Sequence, residues 1–244
     1  MKISAETTVR DIAREQPSSV RIFEKAGVDY CCGGARSLHS VCESQNLNYD
    51  ELLARLEAAS AEAQSGTSGE QDWNFASLAE LTKHIVDRHH EYVREETPRL
   101  EALIQKVCLR HGDTRPELAS VKALFEDLSA EMSSHMLKEE QVLFPYIERM
   151  ESAVQAGKKA PPAFFGTVKN PVRAMMNEHD AAGELMKKIR LLTGNYTPPE
   201  NACPTFRSTL SGLEEFERDL HQHVHLENNI LFPRAVKMEQ PNQG

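Results

Sequence analysis

The sequence predicts an all-α protein: an antiparallel up-down-up-down four-helix bundle preceded by a small helical domain. Four long segments in the second part of the chain repeat apolar residues at helical spacing, and no segment alternates as strands do. Connections containing Gly and Pro separate these segments, which favours antiparallel neighbours. A small, polar segment divides them from the residues before it.

Three parts follow from this pattern: a helical domain over residues 1–58, a linker over 59–72 and the bundle over 73–244. The linker is predicted from its small, polar and aperiodic composition. A domain of fewer than 60 residues is small for independent stability. We therefore expect it to rest on the larger domain or on a partner.

Capping residues place the helices of the first domain. Thr8 precedes the first helix, and Pro17 opens a second one that ends at Gly27. Ser37 begins a third helix, and Asn48 caps the fourth. The four bundle helices are predicted over residues 77–109, 116–149, 170–194 and 204–238.

Composition limits the partners and the compartment. The chain of 244 residues carries 28 Lys and Arg against 37 Asp and Glu, a formal charge of −9, which argues against nucleic acid or an anionic membrane as the main partner. It has no apolar run that predicts a signal peptide or a membrane span. Five cysteines, an odd number, do not form a disulfide framework. A cytoplasmic location is expected.

One motif occurs twice, in the second and fourth bundle helices. His135 and Glu139 begin one copy of His-x3-Glu-x3-Leu-Phe-Pro, and His223 and Glu227 begin the other. Residues four apart lie on one helix face, so each copy directs an imidazole and a carboxylate toward the same point. The Leu-Phe pair that follows is expected to supply an apolar floor.

The other two helices each offer a histidine. His179 is the only one in the third helix. In the first helix we select His90, which lies five residues after Ile85, off the helical repeat, but three before Val93 on the apolar side. Four imidazoles and two buried carboxylates suit Fe, Mn or Zn, and six ligands favour a dimetal centre over a structural zinc.

Simpler interpretations stand beside these. Taken alone, either His90 or His179 would be interpreted as a structural core residue, because neither belongs to a repeated motif. Glu131 and Glu178 are candidates for accepting hydrogen bonds from ligands or carrying protons, with surface charge as the alternative. The other histidines of the bundle region are expected to be hydrogen-bonded core residues turned away from any metal. They are His84, His89, His111, His221 and His225. Solvated helix faces are expected to carry Glu140, Glu214, Glu215 and Glu217.

The run Cys31-Cys32-Gly33-Gly34 supports two interpretations. It could be a thiol site for a metal, for redox exchange or for a partner. Alternatively, Cys31 and Cys32 are two small buried apolar residues that close a helix before a glycine turn. The two glycines permit close backbone approach in either case.

These motifs together resemble the iron–sulfur cluster repair proteins, di-iron proteins that join a short cysteine-containing domain to a hemerythrin-like bundle. The resemblance extends over nearly the whole chain and rests on residues 28–34, 135–145, 178–180 and 226–233. It implies two non-haem iron ions, oxo-bridged, held by four His and two bridging Glu. The corresponding residues here are His90, His135, Glu139, His179, His223 and Glu227.

The resemblance also implies a function: repair of iron–sulfur proteins damaged by nitric oxide or oxidants, by iron donation or nitric oxide reduction at the irons. The alternative is a hemerythrin-like module that binds or senses oxygen or nitric oxide. Hemerythrins carry a second His four residues along the third helix, where this chain has Gly183. Whether the chain forms a homodimer stays open.

Overall fold

The computed structural model describes residues 3–31, 33–65 and 72–239. These residues form helices and no β-strand, which confirms the predicted all-α class. The chain divides into two compact units. The first unit comprises Met1–Ser77 and His221–Arg234, and the second comprises Leu78–Leu220 and Ala235–Gly244.

The helices of the N-terminal part begin at the predicted caps. They are α1 (Val9–Glu15), a 3-10 turn (Pro17–Ser19), α2 (Val20–Ala26), α3 (Leu38–Gln45) and α4 (Tyr49–Ser65). The side chains of Thr8, Ser37 and Asn48 each accept a hydrogen bond from a backbone N–H of the helix that follows. Gly27 ends α2 in the left-handed conformation, with φ of 67°.

Helix α4 extends further than the sequence suggested. It continues to Ser65, so residues 59–65 of the segment predicted as a linker are helical. Ala, Glu and Gln dominate this stretch, and all three are strong helix formers despite their small or polar character. Residues 66–71 of the predicted linker lie outside the described residues.

A single apolar cluster holds the N-terminal helices together. Phe23, Leu38 and Leu56 lie at its centre with no exposed surface, and residues from α1 to α4 contribute to it. Helices this short are marginal in water, so the buried side chains supply most of their stability.

The second part of the chain contains the four predicted long helices, three of which are interrupted by a π-helical turn. The first is α5 (Leu78–Ile85), π1 (Val86–His90) and α6 (Glu91–His111); the second is α7 (Glu117–Lys138), π2 (Glu139–Leu143) and α8 (Phe144–Gln155). The third is α9 (Lys169–Leu192), and the fourth is α10 (Pro204–His225), π3 (Leu226–Leu231) and α11 (Phe232–Glu239).

Two of the π turns have a local cause in the duplicated motif. Pro145 and Pro233 are the second residues of α8 and α11, directly after π2 and π3. Proline cannot donate to the carbonyl four residues earlier, and its ring clashes with that carbonyl in a regular α-helix. A wider turn before the proline relieves both problems.

Within the second unit, the helix pairs run antiparallel. Helix α6 packs against α7, and α5, which precedes α6, packs against α8, which follows α7. Helix α7 also packs against α9. Leu81, Ile85, Leu128 and Ile189 are among the apolar side chains that have no exposed surface.

Buried carboxylates fix several helix ends and connections. Glu151 in α8 accepts hydrogen bonds from the backbone N–H groups of Leu78 and Ala79, at 2.7 and 3.0 Å. Glu217, predicted to be solvated, is buried and accepts from the Arg190 guanidinium and the Tyr196 hydroxyl. The prediction of a solvated Glu217 was wrong because its partners, Arg190 and Tyr196, lie at no helical spacing from it in the sequence.

Across the residues that the structure describes, no helix combines the length and the apolar character that a membrane crossing needs.

The contact of Glu151 with the start of α5 gives a stability prediction. Replacing it by Ala leaves two helix-terminal N–H groups, one buried and one partly buried, without their charged acceptor, so Glu151→Ala should lower the free energy of unfolding by about 2–3 kcal/mol. Chemical denaturation followed by circular dichroism measures this loss. Glu126→Ala, which removes an exposed ion pair with Lys122, is the control and should cost under about 0.5 kcal/mol.

Candidate metal centre

The π turn before α6 brings His90 into the core. In a regular α-helix, a residue five positions after Ile85 lies on a different face. The π turn Val86–His90 adds one residue to the helical turn, so His90 returns to the face of Ile85. Both side chains are fully buried. The His90 ring stacks on Phe144 of the Leu-Phe pair, with ring centroids 5.8 Å apart, as the expected apolar floor would place it.

Three other buried side chains of the second unit surround Glu139. Its Oε2 atom lies 3.4 Å from Nε2 of His90 and 3.3 Å from Nε2 of His135. His135 Nε2 in turn lies 3.0 Å from Nε2 of His179. One carboxylate oxygen thus stands between imidazoles contributed by two different helices.

The second copy of the motif repeats this arrangement in the first unit. Nε2 of His223 lies 3.0 Å from Oε1 of Glu227, and both side chains are fully buried. Glu227 belongs to π3, as Glu139 belongs to π2. The two copies therefore present the same pair of groups from the same local structure.

Outer carboxylates orient two of the imidazoles. Nδ1 of His90 lies 2.6 Å from Oε1 of Glu140, and Nδ1 of His135 lies 2.8 Å from Oε2 of Glu178. An ionised carboxylate only accepts, so each Nδ1 carries the proton and each Nε2 is left as a lone-pair donor. Carboxylate partners of this kind are typical of metal-binding histidines.

A basic side chain holds each outer carboxylate. Arg94 donates to Glu140, and Lys138 donates to Glu178. Burial by itself would raise the pKa of Glu178, but the hydrogen bonds from Lys138 and His135 outweigh it and hold that pKa below its ordinary value. Glu178 is thereby kept as the anion that the His135 N–H needs.

These contacts place three glutamates that were the subject of sequence predictions. Glu140 was expected on a solvated face, yet it contacts His90. The two residues are 50 positions apart in the chain, so no local sequence pattern indicates the contact. Glu131, a candidate partner of His135, is exposed, because Glu178 occupies that position instead. Two sequence signals pointed to the outer carboxylates. Glu178 lies beside His179, and a cation lies about one turn after each histidine, with Arg94 four residues after His90 and Lys138 three after His135.

Two groups of four buried side chains each offer ligand atoms that all lie within 4.8 Å of one another. One group is His90, Glu139, His223 and Glu227, and the other is His135, Glu139, His179 and Glu227. Both carboxylates are thus shared and each imidazole belongs to one group. This donor set suits a pair of first-row transition metal ions.

The spacing of the imidazoles fits the same conclusion. Two nitrogen ligands at about 2.1 Å from a metal ion and at a right angle lie about 3.0 Å apart. That is the distance between Nε2 of His135 and Nε2 of His179.

The remaining histidines make other contacts. His89 was expected to be a hydrogen-bonded core residue turned away from any metal, and it is buried with its Nδ1 3.0 Å from Oδ1 of Asp219. Burial, with a smaller contribution from Arg14, lowers the pKa of His225 to about 4. His225 accepts a hydrogen bond from Asn229 through Nδ1, at 2.8 Å.

The cysteine motif lies in the first unit. Cys31 is buried, and both its backbone N–H and its Sγ contact Oδ1 of Asp29, at 3.1 and 3.3 Å. A Cβ on Gly34 would stand 2.5 Å from the Tyr30 carbonyl oxygen, so only glycine fits there. Cys32 lies outside the described residues.

Comparison with known proteins gives two family matches. Residues 81–235 match the hemerythrin HHE cation binding domain, and residues 5–60 match ScdA_N, a domain of unknown function (DUF542). A probable iron-sulfur cluster repair protein of Haemophilus influenzae is 38% identical over 95% of this chain and 97% of its own length. The iron-sulfur cluster repair protein YtfE of Yersinia pseudotuberculosis is 37% identical, over 91% and 93%.

The outer carboxylates generate the next prediction. Glu140→Gln and Glu178→Gln should each weaken metal retention by about 10- to 100-fold, because a neutral amide holds the imidazole N–H less strongly. Competition with a chelator, followed by metal analysis, measures the change. Glu131→Gln is the matched control on the exposed face of α7. An equal loss in all three variants would contradict the assigned contacts.

Proposed function

Because this chain belongs to the iron–sulfur cluster repair protein family, we propose that it restores iron–sulfur clusters damaged by nitrosative or oxidative stress. The names of its relatives state iron-sulfur cluster repair, and the identity extends over nearly the full length of both chains. The proposed targets are damaged iron–sulfur proteins. The observation that carries the proposal is the pair of buried His and Glu groups that share Glu139 and Glu227.

We propose that the two groups hold two iron ions. His90 and His223 would bind one ion, His135 and His179 would bind the other, and Glu139 and Glu227 would bridge both. The donor set supports this, since imidazole with carboxylate suits iron and shared carboxylates suit a metal pair. When bound, the iron pair supplies Lewis acidity, electron exchange and iron that can be transferred.

The chain's own residues prepare this chemistry. Glu140 and Glu178 hold the His90 and His135 protons on Nδ1, away from the metal side. Leu143, Phe144, Leu231 and their neighbours keep water from the buried carboxylates. Gly183 stands where hemerythrins have an imidazole, which favours an open position for a diatomic ligand such as nitric oxide or dioxygen.

Nitric oxide reduction and iron donation are the two proposed forms of the repair reaction, and a cytoplasmic location fits both.

The N-terminal cysteine motif favours repair over oxygen storage, since an oxygen carrier needs no thiol domain. We propose that Cys31 and Cys32 act on the client protein. A tethered thiol pair has an effective concentration in the millimolar range.

The metal assignment predicts two iron atoms per chain after expression in iron-rich medium. Glu139→Ala and Glu227→Ala should lose at least one of them, because each carboxylate belongs to both groups. Elemental analysis and magnetic measurements test this. Glu131→Ala should keep both iron atoms. One metal per chain, or zinc alone, would overturn the di-iron assignment.

The repair function is tested with a reduced, anaerobic mixture of this protein and an iron–sulfur protein damaged by nitric oxide. Cluster recovery and nitrous oxide are followed together. Recovery without gas selects iron donation, and recovery with stoichiometric gas selects nitric oxide reduction. Reversible oxygen or nitric oxide binding without recovery would favour the sensing module instead.

A variant with Cys31→Ser and Cys32→Ser belongs in the same experiment. It should keep its iron, because neither thiol is among the proposed ligands, and should repair clusters at least tenfold more slowly. Repair at the parent rate would show that the cysteines are structural. Loss of iron would show that the proposed ligand set is incomplete.

A further inference from the structure

The loop that carries Cys31 is bound to the segment that carries His223 and Glu227. The Asn229 side chain donates through Nδ2 to the backbone carbonyl of Tyr30, at 3.1 Å. Both residues belong to the first unit, and Asn229 is buried. The residue directly before the first cysteine is thus attached to π3.

Tyr30 makes further contacts with the same segment. Its ring is fully buried and stands edge-on to His225, with centroids 5.5 Å apart. Its hydroxyl donates to Glu24 at 3.1 Å, and Glu24 also accepts from Gln222 at 3.0 Å. Burial, reinforced by Glu24, raises the pKa of Tyr30 well above its ordinary value, so the hydroxyl stays a donor.

These anchor points alternate with the proposed ligands along one short stretch of helix. Gln222 directly precedes His223, and Asn229 follows Glu227 by two residues within π3. Asn229 uses both hydrogens of its amide, one on the Tyr30 carbonyl and one on Nδ1 of His225. The anchor therefore connects residues on both sides of the ligand pair.

The π turn is a local irregularity within the last helix, and the contacts of Gln222 and Asn229 hold the helix just before and within it. We propose that Tyr30 and Asn229 are positioning residues, so that the iron is retained while the Cys31 loop is docked and is released when a client protein draws the loop away. This rests on the proposed metal site and adds its regulation. Coupling of this kind is reciprocal, so bound iron must also stabilise the docked loop.

The test uses the full-length, iron-loaded chain and measures the rate at which a colorimetric chelator removes iron. Asn229→Ala, Tyr30→Phe and Glu24→Ala each remove one part of the anchor, and none of these residues is a proposed ligand. Each should release iron about tenfold faster, within the range usual for coupled sites. Asn48→Ala is the matched control, since it weakens the cap of α4 in the same domain without touching the anchor; its rate should equal that of the parent.

Hydrogen exchange supplies a readout that does not depend on activity. Amides of residues 28–31 and 33–36 should exchange at least tenfold more slowly in the loaded protein than in the stripped protein, and the anchor variants should lose this difference. Equal exchange in both forms would overturn the coupling. An effect of Asn229→Ala without one of Tyr30→Phe and Glu24→Ala would also overturn it, because it would show only local distortion of π3.

Iron content, measured first, separates this inference from the proposed function. A chain that binds no iron overturns the metal site and the coupling together. A chain that binds two irons with an unchanged release rate in all the variants overturns the coupling alone. Failure of cluster repair with accelerated release would overturn the repair function and support the coupling.

Discussion

Two carboxylates without any exposed surface, Glu139 and Glu227, impose the strongest constraint on this structure. An ionised carboxylate in an apolar core costs several kcal/mol unless positive charge or strong donors compensate it. The groups around Glu139 are imidazoles whose protons are held on the outer side by Glu140 and Glu178. In the proposed site, metal cations would supply the compensation, since imidazole and carboxylate together suit a pair of first-row transition metal ions.

The same constraint accounts for the irregular helices. A π turn is rare in proteins and is frequently found at functional sites. Here π1 ends at His90, π2 begins at Glu139 and π3 contains Glu227, so every described interruption coincides with a proposed ligand. Regular helices would turn His90 away from the core. Regular α-helical hydrogen bonds are lost only locally, and the bonds between the ligands and the metal pair would compensate the free energy of that loss.

The sequence was sufficient for the parts of the site that follow helical spacing. His135, Glu139, His223 and Glu227 could be identified because the motif occurs twice, and the helical boundaries followed from caps and periodicity. The contact of His90 with Glu140 could not be predicted, because it joins two helices 50 residues apart in the chain. The π turns were not predicted either. Pro145 and Pro233 follow two of them directly, but a proline at that place in a sequence does not by itself distinguish a π turn from a kink, and π1 has no such proline after it.

The first compact unit combines segments that are far apart in the sequence. The N-terminal domain's own cluster holds short helices, yet the compact unit also includes His221–Arg234 from the last bundle helix. Tyr30 explains this, since its carbonyl and ring both contact that segment. A domain of this size gains stability from such added burial. The residues that present a thiol and the residues that present two proposed iron ligands therefore share one set of contacts, and the proposed coupling would act through these contacts.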